Sequence, residues 1–256
     1  MKAAGSGAIR RWLGSHGRRV LALARKELLS CLNAPAFYGA AVFFLAFCSV
    51  WLFHVGNFFA LNSASLRSYF AVFPLAFILV VPTLTMKSWA EERKTGSIEL
   101  LVTLPFSEWD LVLGKFLAAY ALLAMMLALT VPVPLTLSQL GNFDAGVIAA
   151  EYFGALLLGA AAIALGLLLS SLSKNQAGSF LGTAAALMAT VLIGQLTFHL
   201  DLPPLLREIV SFFSLPFHFE SFSRGILDSR GIAHYLLSAA LFMFLTTRVI
   251  LRRKWS

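Results

Sequence analysis

Five histidines, two cysteines and twelve carboxylates carry the catalytic and metal-binding potential of this 256-residue chain, and their spacing assembles no site. His16, His54, His199, His218 and His234 include no His-Glu-x-x-His pair, the spacing that sets two zinc ligands and a base on one helix face. His218 and Glu220 alternate with phenylalanines, which suits side chains satisfied by water or headgroups better than a metal centre. Cys31 and Cys48 are too few for a disulfide framework and lack ligand spacing. Cys48 falls inside an apolar run, as a small buried hydrophobe would. There is no Gly-x-Ser-x-Gly nucleophile turn, and no Gly-x-x-x-x-Gly-Lys-Ser/Thr loop to cradle a phosphate. The spacing therefore predicts no catalytic residue, no metal and no ATP bound by this chain, and it disfavours an intramembrane hydrolase.

One stretch does carry organised polarity. From Trp89 to Pro105 the sequence reads WAEERKTGSIELLVTLP. Glu91 to Lys94 is strongly helix-forming, and Gly96 can end that helix in a left-handed conformation. Ser97 is a good N-cap, Glu99 complements the following helix dipole, and Pro105 stops that helix. Ser107 and Asp110 have capping-box spacing for the next helix. The pattern prescribes helix, break, short amphipathic helix, break, helix. Ile98, Leu101 and Val102 would offer apolar contacts to a partner, and Glu91, Glu92, Arg93 and Glu99 would offer charge. The same pattern also fits an interfacial helix that only packs against lipid.

The elements around this stretch follow from composition. Hydrophobic residues make up 59% of the chain and charged residues 12%, about half the usual charged share of a soluble domain. Mean hydropathy is +0.82. Six runs approach the roughly 20 residues that cross a hydrocarbon core, at 36–53, 69–86, 111–140, 152–172, 177–198 and 232–247. Lys115 is the one charged residue expected inside them, close enough to an end to snorkel to the interface. Arg67, Arg207, Arg224 and Arg230 fall on one side, and the rest of the 20 Lys and Arg residues fall on the other. That bias places both termini in the cytoplasm. It also accounts for the net charge of +8 without nucleic acid.

Before the first run, Leu21, Ala24, Leu28 and Leu32 recur at helical spacing, with Arg11, Arg18 and Arg25 every seventh residue on another side, as in a basic helix lying on the membrane surface from Val20 onward. Asn33-Ala34-Pro35 marks its end, so residues 1–35 read as a tail plus amphipathic helix and 36–256 as the membrane domain. Between the fifth and sixth runs, 199–230 is aromatic and proline-containing, which predicts short interfacial helices. Pro74, Pro82, Pro132 and Pro134 should kink their spans, and Glu151 should stay at headgroup level. Gly178 and Gly182 stand four apart, a spacing that permits close approach within one bundle or along a seam between two copies. Charge-free spans leave no ion path of the kind secondary transporters use, so energy must come from outside the chain.

The string from Ala90 to Leu101, with Thr103-Leu104-Pro105 and Leu113-Gly114-Lys115-Phe116, resembles the permease subunits of ABC-2 type transporters, and most nearly their gliding-motility-type branch. A looser likeness extends from about Arg25 over most of the chain, including Phe217 to Phe222. The resemblance implies an all-α, six-span membrane protein in the cytoplasmic (inner) membrane that dimerises with a like or unlike permease. Each half would meet a separate nucleotide-binding subunit, which binds the ATP and magnesium. The loop after span two would be the coupling helix, with Glu91, Glu92, Arg93, Gly96, Ile98, Glu99, Leu101 and Val102 docking the ATPase, and the basic N-terminal helix would be the connecting helix. Export is the implied direction. A scaffold that moves nothing, as in secretion or gliding machinery, is the alternative from another class.

Overall fold

The computed structural model describes residues 3–56, 66–96, 107–139, 141, 143–199, 212 and 214–254, with side chains among these from 16 to 195 and from 212 to 252. Among the described residues it is all helix, as expected of a chain that must satisfy its backbone without water. Six helices are long and apolar enough to cross a membrane: Pro35–Val55, Phe73–Lys94, Glu108–Leu137, Ala145–Leu172, Gln176–Gln195 and Ser229–Arg252, numbered spans one to six in chain order. An N-terminal helix, Ala3–Leu32, precedes them, and a short helix, Leu215–Ser223, lies between spans five and six. The expected interfacial structure at 200–211 lies outside the described residues.

Local chemistry explains most boundaries. Pro35 occupies the first turn of span one, where its missing N–H is harmless. Asp144 caps span four by accepting from the Gly146 N–H at 2.8 Å. Val131 forms a turn before Pro132, and Val72 another before the helix that holds Pro74 at its start, whereas Pro82 stays inside an unbroken helix. Span one ends in a π-helical turn, Trp51–Val55, which nothing in the sequence suggested.

Span four is the hub. It packs on spans two, three, five and six and on the 215–223 helix, and it is the most enclosed of the six. Small residues allow this closeness: a Cβ on Gly166 would sit 2.5 Å from Thr85 Oγ1. Span four starts at Ala145, seven residues before the expected start, and the bundle encloses Glu151, which is 1% exposed. Gly178 and Gly182 do not serve packing inside the protomer. A Cβ at Gly182 would meet nothing within 4 Å, and one at Gly178 only the Asn175 side chain.

The N-terminal helix runs well before Val20, from Ala3. Of its expected stripe, Leu28 and Leu32 pack against the core and Ala24 is half-buried, but Leu21 does not join them. Leu23 is buried while Leu21 is 65% exposed. The reason is Gly114: Leu23 fills the space over this glycine, where a Cβ would lie 2.7 Å from Leu23 Cδ2. This packing brings His16, Leu23 and Glu27 toward span three.

Candidate functional site

The site is built around Lys115. Five residues after Asp110 in span three, its side chain points into the protein and is 2% exposed. Its Nζ donates to Glu92 Oε1 at 2.6 Å, to the Ser88 carbonyl at 2.7 Å and to Glu27 Oε1 at 3.2 Å. The ammonium also lies 4.9 Å from the centre of the Trp89 ring. The expected snorkelling is therefore corrected. An ammonium with three donors finds three acceptors inside the protein, so it has no need to reach water. One charge joins the N-terminal helix, the end of span two and the start of span three.

The path of span two follows from the same contacts. Continuous helix through Lys94 was expected, but Met86 to Trp89 form a turn before a new helix, Ala90–Lys94. The Ser88 carbonyl is turned to Lys115, and the N–H groups of Trp89 and Ala90 donate to Ser170 Oγ at 3.2 and 3.4 Å. Tertiary partners thus replace helical ones across the break. Arg93 completes the junction by donating to the carbonyls of Ser171, Leu172 and Ser173. A guanidinium on the last carbonyls of a helix satisfies orphan acceptors and complements the negative dipole end. Gly96 then takes φ +71°, the left-handed turn that its position predicted.

The far side of residues 97–106 is held as well. Ser107 Oγ accepts from the Asp110 N–H and Asp110 Oδ2 from the Ser107 N–H, both at 3.2 Å, which is the predicted capping box. Asp110 is also 2.9 Å from His16 Nδ1. His16 and Glu27 are eleven residues, about three turns, apart and so share one helix face. They fasten the N-terminal helix to span three, and through Lys115 to Glu92 on the near side of residues 97–106. A crevice of about 310 Å³ opens beside this network, lined in part by Lys26, Cys31, Lys87 and Glu91. Burial and the nearby Glu27 push the Cys31 thiol up, which keeps it protonated and unreactive.

Of the residues expected to meet a partner, Glu92 and Arg93 are half-buried and engaged within the chain, Glu91 and Gly96 are exposed, and Ile98, Glu99, Leu101 and Val102 lie outside the described residues. Sequence reasoning did not single out Glu27, Ser88, His16 or Ser170. The three-turn spacing of His16 and Glu27 was the available signal. Among the described residues no three His, Cys, Asp or Glu side chains converge as for a metal.

Six helices long and apolar enough to cross a membrane, with a clamped, capped break between the second and third, define a multi-pass membrane protein. The chain matches the family described as "ABC-2 family transporter protein" over residues 21–202, well over half its length, and it belongs to that family of transporter permeases. It is similar to the probable multidrug ABC transporter permease YbhR of Escherichia coli strain K12, with 27% identity over 113 residues, which is 44% of this chain. The same protein of Escherichia coli O157:H7 matches equally. The match spans 30% of the length of these relatives.

Proposed function

We propose that this chain is the permease subunit of an ATP-driven exporter in the cytoplasmic membrane, with both termini in the cytoplasm. A separate ABC ATPase, holding the nucleotide and magnesium, docks on residues 91–104. The carrying observation is the pair of anchors on that segment: Glu92 and Arg93 at its start, and Lys115 and Asp110, the latter beside His16, beyond its end. Force applied between these anchors reaches span three through Lys115 and span four through Arg93 and Ser170. Among the described residues of the segment, Glu91, exposed at the lip of the crevice, is the carboxylate left to face the ATPase. A second permease completes the translocation path, and the outward face of span five with Gly178 and Gly182 is its candidate seam. The Ala90–Leu101 string supports placement in the gliding-motility-type branch. Charge-poor spans favour an amphiphilic cargo.

The test is reconstitution with the nucleotide-binding subunit, reading association and permease-dependent ATPase rate. Glu91→Lys is expected to weaken association at least tenfold while leaving the permease folded. Unchanged association and unchanged ATPase coupling would remove the docking claim.

A further inference from the structure

At the end of the bundle that carries both termini, spans four and six diverge. Between them runs a groove of about 640 Å³. Its walls are apolar, formed by Leu168 and Leu172 of span four and Phe244 and Leu245 of span six, and Leu172, Phe244 and Leu245 are all exposed. Its mouth is basic: Arg248 and Arg252, one helical turn apart, line the same groove. The Arg248 guanidinium lies over the Phe244 ring, 4.8 Å from its centre. Stacking of this kind fixes the guanidinium plane while leaving its N–H edge to bind an anion in two-point fashion.

We propose that this groove binds one anionic phospholipid, its acyl chain along Leu168, Leu172 and Leu245 and its phosphate between Arg248 and Arg252. Charge and shape both choose this occupant. An apolar trench that opens sideways into hydrocarbon suits an acyl chain. Two guanidiniums at the interface suit a net negative headgroup, as basic pockets between spans do on the face that carries anionic lipid. The topology assigned above puts the groove on that face. Lipid binding is read without the ATPase, so failure here and failure of the coupling role are separable.

The experiment is native mass spectrometry of the detergent-purified full chain titrated with dioleoyl phosphatidylglycerol and, separately, dioleoyl phosphatidylcholine. One retained phosphatidylglycerol is expected, preferred by about thirtyfold, or about fivefold for each arginine. Arg248→Gln/Arg252→Gln should erase the preference. Leu245→Trp, which fills the groove and keeps both arginines, should remove the retained lipid. If the double variant keeps its preference, or the tryptophan variant keeps its lipid, the site is overturned, the second result leaving only diffuse attraction of anionic lipid to a basic surface. The two variants act on different parts of the groove, so loss of fold in one leaves the other decisive.

Discussion

At the end of the bundle that carries both termini, Lys115 is almost fully buried yet meets two carboxylates, a carbonyl and an indole ring. At the opposite end, Glu220 stands one-third exposed and shares its Oε1 between Arg67 at 3.4 Å and Arg224 at 2.6 Å. Among the described residues both ends leave buried polar atoms without a hydrogen bond, Trp89 Nε1 and Arg93 Nε near Lys115, and Glu151 Oε1 and both ring nitrogens of His234 at the opposite end, so the contrast lies in the ion pairs. Buried ions persist only where several partners offset the loss of water, so the Lys115 network has one arrangement and resists being pulled out of it. Exposed pairs exchange readily with water and hold little. One end is held by a buried ion network, the other by exposed pairs.

The largest effect expected is at Lys115. Lys115→Met leaves Glu27 and Glu92 facing each other without their cation, a break that costs about 3–5 kcal/mol. Adding Glu27→Gln and Glu92→Gln removes the stranded charge and should restore most of the thermal stability in detergent. The triple variant should still fail to raise the ATPase rate of the partner subunit, because nothing then ties the N-terminal helix to spans two and three. Should the triple variant couple normally, the network is packing rather than transmission.

The six spans were legible because lipid demands long apolar runs, and the caps at Gly96 and Ser107 because they are local chemistry. The junction was not. Lys115 reads as one charge near the end of an apolar run, and its partners Glu92 and Glu27 are 23 and 88 residues away. Only the fold shows that they meet. In the stripe of the N-terminal helix, Leu28 and Leu32 met the core as expected, but Leu23 rather than Leu21 is buried, because Gly114 on another helix makes room for it. That the bundle encloses Glu151 was not legible either, because neighbouring helices decide it. Non-local pairing decides these positions, and periodicity along one element does not report it.

A smaller effect is expected at the opposite end, in the stacked imidazoles of His218 and His234. Their rings are 4.0 Å apart and within 6° of parallel. Burial holds the His218 pKa below its ordinary value of about 6.5, against the raising influence of the Ser214 carbonyl and Asp228. The folded state therefore binds the proton less readily than the unfolded one. The contribution of a neutral His218 is present above its ordinary pKa and lost as pH falls through the folded value. Thermal midpoints taken from pH 8 to pH 5 should fall on acidification, and His218→Gln should flatten part of that slope. An unaltered slope would show that the stack is not where the acid acts.

The smallest effect is expected at Glu220, and it is the sharpest contrast with Lys115. Glu220→Gln removes both ion pairs at once, yet their side chains are 33–58% exposed. Exposed pairs contribute about 0–1 kcal/mol each, and raising the salt from about 0.01 M to 1 M shortens the screening length from about 30 to 3 Å. The variant should differ little from the parent at low salt and not at all at high salt. Lys115→Met should be equally destabilising at both, because salt does not reach a buried ammonium. A salt-independent loss at Glu220 as large as that at Lys115 would mean that the outer end is also held by fixed charge. The division of labour between the two ends would then be gone.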